Sequence, residues 1–302
     1  MRIVSLLSSA TEIVYELGLG GSLVGISHEC DYPPEALSLP RMSRVRFDPT
    51  GLDSGAIDRE VRRCMEEYGS VYEIDAEALA AARPELVLTQ AVCEVCAVPT
   101  GSAEAAVASL AEPPRVLSLD AHTLTGILDT VRQVADAAGE PARGEAAVAR
   151  LEARLARVAE AVAGQARPRV LALEWLEPPF APGHWVPEMI ERAGGDCLLG
   201  EAGAASRQVE RGAIESLDPD VLLLLPCGYG LEAARADAER HRAWLEELAP
   251  RALAEGRAWI GDSAFFSRSG PRVVGGIEAL AAVLHPDALA GSAAAGWLEP
   301  WR

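Results

Sequence analysis

Short apolar runs alternate with helix-period segments along the whole chain. Residues 3–7, 23–26, 86–89, 116–119, 170–173, 221–225 and 258–261 have the length of buried strands, and most are rich in Val, Leu and Ile. Between them the apolar positions shift to helical spacing at residues 57–67, 76–82, 186–193, 231–255 and 273–284. Ser9 and Thr11 offer N-cap oxygens for a helix that runs to about Leu17 and ends at Gly18, and Pro84 stops the 76–82 helix. Strands that alternate with helices predict parallel sheets covered on both faces.

One stretch departs from this alternation. Residues 123–163 read as helix, interrupted at Gly139-Glu140-Pro141. From about Gly144 the apolar side chains Val148, Leu151, Leu155, Val158 and Val162 follow i, i+3, i+4 spacing. A helix of about 20 residues is about 30 Å long, close to a domain diameter, and is a candidate bridge between lobes. The expected architecture is α/β: two Rossmann-like lobes with central parallel sheets, joined by one long bridging α-helix. The expected divisions are an N-terminal lobe over 1–121, linking helices over 122–166 and a C-terminal lobe over 167–302. The segment after His285 is Ala/Gly/Ser-rich with Trp297 and Trp301, and is expected to pack loosely.

A weak internal repeat relates the two halves. Residues 74–88 and 213–223 each read as a helix, then Pro followed by an acid (Pro84-Glu85 and Pro219-Asp220), then a buried strand. A Cys-bearing turn follows each strand: Cys93 and Cys96 in one, Cys227 in the other. In parallel α/β sheets ligands sit beyond the carboxyl ends of the strands, so equivalent turns of two lobes can face one cleft.

Charge removes several function classes. The net charge of −18 disfavours nucleic acid and anionic membranes. All 27 basic side chains are Arg, and the absence of Lys excludes lysine Schiff-base chemistry and a Walker-type phosphate loop. No run approaches the roughly 18 apolar residues of a membrane-spanning helix, so direct membrane insertion is not expected. The N-terminus enters a strand without a secretory leader pattern, so a cytoplasmic protein is expected, or a periplasmic or extracytoplasmic one if a signal has been removed.

Four sets of residues carry candidate chemistry. His28, Glu29, Cys30 and Tyr32 follow one predicted strand, and Gln90, Cys93 and Cys96 follow another. Cys-x-x-Cys is a usual half-site for zinc or an iron–sulfur centre, so Cys30, Cys93, Cys96 and His28 are candidate metal ligands. The thiols are equally readable as reduced and buried, or as a reversible disulfide. Aromatic residues are 5% of the chain, yet Trp175, Trp185, Tyr229, Phe265 and Phe266 fall just after predicted strands, with Glu174 beside Trp175. Flat apolar walls with a few polar groups suit a large planar ligand, although the same rings can simply fill core. Arg268 and Arg272 open the last long helix and can bind a carboxylate or phosphate, or pair with neighbouring acids. No Gly-x-Ser-x-Gly elbow occurs, and His184 is the best remaining histidine candidate.

Residues 2–14, 25–35, 88–98 and 183–195, with Arg268-Ser-Gly-Pro-Arg272, resemble the periplasmic-binding-protein superfamily with a helical backbone, specifically its cobalamin and iron-complex receptor branch. The resemblance runs in order over nearly the full length. It implies two lobes joined by one long helix with little hinge bending. It also implies a non-enzymatic role: capture of a corrinoid (cobalamin) or related metal chelate, then delivery to an ABC permease. The competing expectation is a cytosolic metal or iron–sulfur protein, possibly an enzyme, using the Cys/His cluster.

Overall fold

The computed structural model describes residues 1–92, 98–108, 110–289 and 296–302. The first half contains β1 (Ile3–Ser5), α1 (Ser8–Glu16), β2 (Leu23–Gly25), β3 (Ser43–Val45), α2 (Ser54–Tyr68), β4 (Tyr72–Ile74), α3 (Ala76–Ala82), β5 (Leu86–Thr89), α4 (Thr100–Ala108) and β6 (Arg115–Ser118). Two helices follow, α5 (Leu124–Ala137) and α6 (Pro141–Val162). The second half begins with β7 (Arg169–Leu173), β8 (Trp175–Leu176), β9 (Pro179–Ala181), α7 (Val186–Arg192), β10 (Asp196–Cys197), β11 (Arg207–Gln208), α8 (Arg211–Ile214) and β12 (Val221–Leu224). It ends with α9 (Leu231–Arg240), α10 (Arg242–Leu248), α11 (Pro250–Ala254), β13 (Ala258–Gly261), α12 (Ser263–Phe266), α13 (Val273–Leu284) and β14 (Leu298–Pro300).

The two lobes share one strand order. The first sheet runs β2-β1-β5-β6, all parallel. The second runs β10-β7-β12-β13 in parallel, with β14 added antiparallel at the edge. In each lobe the second strand of the chain lies outside the first, and the third and fourth follow on the other side. Two small antiparallel pairings, β3-β4 and β11-β9-β8, sit outside these sheets.

The repeat is reproduced in atomic detail. Glu85 Oε2 accepts from the backbone N–H of Arg2 (2.7 Å), and the Arg2 guanidinium donates to the carbonyl of Ala82 (2.6 Å). In the other lobe Asp220 Oδ2 accepts from the N–H of Arg169 (2.7 Å), and the Arg169 guanidinium donates to the carbonyl of Leu217 (2.6 Å). The residue before each proline, Arg83 and Asp218, has positive φ (43° and 42°). The acid after the proline thus ties the start of the first strand to the third, and the arginine ties it to the preceding helix.

Alternation along the strands sorts the core into three parts. Val4, Leu6 and Val87 point to one face of the first sheet, against Cys64 of α2, Leu79 of α3 and Ala103 of α4. Leu171, Leu173, Leu222 and Leu224 point to one face of the second, against Ala234, Leu245 and Ala252 of α9–α11. The opposite faces (Ile3, Leu86 and Leu88 in one sheet, Val170, Ala172 and Leu223 in the other) belong to one continuous cluster built on α5, α6, α7 and α13. α6 spans 22 residues, about 33 Å at 1.5 Å per residue, with Pro141 in its first turn. Arg150 of α6 reaches Glu16 of α1 (2.9 Å), and Arg154 reaches Glu278 of α13 (2.6 Å). α5 and α6 approach closely at Gly144, where a Cβ would lie 2.7 Å from the Ala135 side chain.

Three sequence expectations are corrected. Ser9 and Thr11 lie inside α1, whose N-cap is Leu7; both are buried, because this end of the helix faces the second lobe. The helical stretch 231–255 is three helices, broken at His241 and at Ala249-Pro250. The described end of the C-terminal segment, residues 296–302, does not pack loosely: β14 pairs with β13, and Trp301 is fully buried with its indole N–H donating to Glu239 (2.8 Å).

The shared core carries a stability prediction. Leu151→Ala should cost about 2–5 kcal/mol, as for a buried leucine left as a cavity, while Arg150→Ala on the exposed face should cost less than about 1 kcal/mol. Urea unfolding followed by tryptophan fluorescence measures both.

Candidate functional site

The carboxyl ends of the two parallel sheets face each other across a cleft. β2 leads into Ser27, His28 and Glu29. β7 ends at Glu174, and Cys227 follows β12. Cys227 is the common neighbour: its thiol lies within electrostatic reach of Glu29 from the first lobe and of Glu174 from its own. Glu29 is surrounded by both lobes, yet its side chain is 41% exposed, as befits a group lining a narrow cleft.

Each group has a defined state. The His28 ring donates or accepts at Nδ1 with Ser43 Oγ (2.9 Å) and lies 5.1 Å from the Tyr72 ring. Burial, with Arg41 as a second cause, lowers the His28 pKa to about 4, so the imidazole is neutral near neutral pH. Its Nε2 has no hydrogen-bond partner and sits 3.8 Å from Glu29. Tyr72 donates weakly to Glu29 (3.5 Å). Glu174 accepts from Ser206 Oγ (2.5 Å) and from the backbone N–H of Gly183. Burial outweighs these bonds and raises its pKa to about 7. A side chain at Gly183 would collide with the 204–206 backbone, so glycine permits this approach. Burial, then the neighbouring carboxylates Glu174 and Glu29, push the Cys227 thiol up to about 12, which makes it a thiol rather than a thiolate.

Two seams join the lobes beside this floor. Arg268 makes a two-pronged contact with Asp31 (2.6 and 2.8 Å), and Arg272 pairs with Glu12 (2.5 Å). Glu12 is 3% exposed; burial raises its pKa against the pull of Arg272 and Arg268. At the second seam Ser54, at the start of α2, donates from its backbone N–H and hydroxyl to the buried carboxylate of Asp237 (3.2 and 3.1 Å), with His241 3.4 Å from the same hydroxyl.

The sequence-predicted residues divide between this floor and other places. His28, Glu29 and Glu174 come together in the cleft. Arg268 reaches it but is held by Asp31. Tyr32 is 47% exposed under the Arg272 guanidinium (4.7 Å). Trp175 packs at a tilt against Tyr229 (ring centroids 5.1 Å apart) within the second lobe. Trp185 and Phe266 are buried, the Trp185 indole donating to the Phe266 carbonyl (2.7 Å); they are core, not an open ligand wall. Phe265 is buried against Trp297 (4.2 Å). Gln90 is buried where β5 leads toward Pro99. His184, at φ 51°, stands 5.5 Å from His122.

The zinc or iron–sulfur expectation is not met by the residues that can be placed. Cys93 and Cys96 lie outside the described residues. Cys30 is buried and its thiol contacts Thr11 Oγ1 (3.1 Å). Among the described residues no three of His, Cys, Asp and Glu converge as metal ligands. Sequence reasoning did not single out Glu12, Tyr72, Ser206 and Asp237 as site residues, because each finds its partner only in the folded chain.

A family model described as periplasmic binding protein matches residues 3–249. The chain belongs to the periplasmic binding protein family. A vitamin B12-binding protein of Vibrio cholerae is 25% identical over 281 residues, covering 92% of this chain and 86% of the relative. The crystal structure of the periplasmic vitamin B12 binding protein BtuF of Vibrio cholerae superposes with a TM-score of 0.68 at 23% identity, over 94% of this chain and 96% of that one. A periplasmic heme binding protein from Pseudomonas aeruginosa gives a TM-score of 0.72 at 23% identity, over 95% and 93% of the two chains. These relatives are binding proteins, not enzymes, and a cytoplasmic setting gains no support from them. Among the described residues no helix is long and apolar enough to cross a membrane.

Two predictions come from the buried charges. Arg272→Met leaves Glu12 with only the more distant Arg268 (3.6 Å) and should cost about 3 kcal/mol, most of it restored in the double variant with Glu12→Gln; denaturant titration of the cycle checks this. Glu174 has a folded-state pKa above its unfolded value. Its contribution to stability is therefore full below about pH 4.5 and is lost as pH rises through about 7. Glu174→Gln should flatten the fall of Tm over that interval.

Proposed function

We propose that this protein captures a corrinoid, or a closely related metal chelate, between its two lobes and hands it to an ABC permease outside the cytoplasm. The reading is carried by one observation: within a family of binding proteins, two parallel sheets of identical strand order aim their carboxyl ends at one polar floor. Ligands of α/β sheets bind at such ends. The bridging helix and the shared core keep the lobes in register, so the loops after the strands form a preorganised site.

Two concavities elsewhere do not compete with the cleft. One of about 530 Å³ lies among Arg242, Leu253 and Arg302, and one of about 210 Å³ among Arg44, Arg63 and Tyr68; both are on outer faces. The cleft is closed at two interlobe seams, and a ligand as large as a corrinoid must part them.

Calorimetric titration with cyanocobalamin tests the reading. The expected result is one-to-one binding with a visible absorbance change, and an association rate raised several-fold in Asp31→Asn, which loosens the seam. No heat at high micromolar ligand would remove the corrinoid from consideration.

A further inference from the structure

Planar metal chelates differ at their rims. Heme carries carboxylates, which need cations or well-placed donors to be buried. A corrinoid carries carboxamides, whose N–H groups need acceptors.

Among the described residues the cleft is poor in unpaired cations. The chain has no Lys. Arg268 is paired with Asp31 and lies 3.6 Å from Glu12, within electrostatic reach of Glu29, and Arg272 is paired with Glu12, with its guanidinium also over the Tyr32 and Phe265 rings. Arg41, behind His28, donates to the carbonyls of Ser27 and Cys30 (both 2.7 Å). What lines the cleft instead is a carboxyl group from each lobe, with neutral His28 and the un-ionised side chains of Tyr72 and Cys227 between them. Glu174 is held in place by Ser206 and the Gly183 amide, which fixes its direction before any ligand arrives.

We propose that Glu29 and Glu174 are the specificity residues of the cleft, selecting a chelate whose rim presents N–H donors, such as the carboxamides of a corrinoid, and rejecting one whose rim carries carboxylates. This rests on the metal-chelate reading above and goes further by naming the class. The two carboxyl groups sit on different lobes, so a ligand with amides around its rim satisfies both and ties the lobes together. A rim carboxylate brought to the same place meets like charge in a partly desolvated cleft, where the nearby Arg268 is already shared between Asp31 and Glu12.

The test uses the full chain at pH 8, above the value of about 7 at which Glu174 titrates. Cyanocobalamin, dicyanocobinamide and hemin are titrated separately against tryptophan fluorescence. Both corrinoids are expected to bind at least tenfold tighter than hemin. Glu29→Gln, at an accessible position that tolerates change, and Glu174→Gln, which keeps the Ser206 contact, should each weaken corrinoid binding several-fold. Glu29→Arg should reverse the preference by strengthening hemin and weakening the corrinoids. Hemin binding as tight as cobalamin in the unaltered protein overturns the selectivity while leaving a chelate receptor intact. The same holds if Glu29→Arg leaves the ratio of affinities unchanged in a variant of native circular dichroism. Failure of all three ligands to bind removes the chelate reading itself, and the selectivity with it.

Discussion

The inner faces of both sheets are buried against the same helices, and this shared burial governs the rest of the molecule. Ile3 and Leu88 on one side and Val170 and Leu223 on the other belong to a single apolar cluster with α5, α6, α7 and α13. Swinging one lobe away would uncover that surface at about 25 cal/mol per Å², which resists hinge bending of the whole domain. The ion pairs of α6 act in the same sense, since Arg150 reaches α1 and Arg154 reaches α13. Motion that admits a ligand is therefore confined to side chains at the seams and to the loops after the strands.

The duplicated clamps sit at the other end of the sheets. Arg2 with Glu85, and Arg169 with Asp220, pin the first and third strands where they begin. The opposite ends are left to loops of unrelated sequence, and the chemistry of the two lobes diverges there: His28 and Glu29 in one, Glu174 and Cys227 in the other. A scaffold fixed at one end and variable at the other allows relatives with different ligands to share a fold, so the site rather than the fold must decide what is bound.

The sequence revealed elements whose signals are local. Strand β13 and helix α13 have the bounds that periodicity predicts, because a run of large apolar residues and a 3.6 period need no tertiary information. The bridging helix was legible for the same reason, as was the repeat, whose Pro-acid step has a local backbone cause. Short pieces were not. β8, β10 and β11 are two residues each and exist only through their partners. The C-terminal strand looked like a tail because its anchors, pairing with β13 and the burial of Leu298 and Trp301, are tertiary. At the site, His28, Glu29 and Glu174 were visible as polar residues just beyond strands. Glu12 and Asp237 were not, since a carboxylate in a helix reads as a solvated face until its partner from the other lobe is known. The aromatic residues misled in the opposite direction: Trp185 and Phe266 follow the strands in sequence but turn into the core.

The seam and the floor of the cleft are linked through charge. Buried ion pairs such as Arg272–Glu12 add little net stability, because desolvation offsets most of the attraction. Their main effect here is geometric and electrostatic. They fix how the end of α1 meets the start of α13, and they withdraw the two nearest guanidinium groups from the cleft. With those cations paired, Arg268 still acts on Glu29 and Cys227, but burial outweighs it and drives Glu29, Glu174 and Cys227 toward their protonated forms. The cleft then combines two carboxyl groups, a thiol and a neutral imidazole, and it grows more acidic toward a ligand as pH rises through about 7, where Glu174 titrates. That character follows from where the arginines are spent, as much as from which residues line the floor.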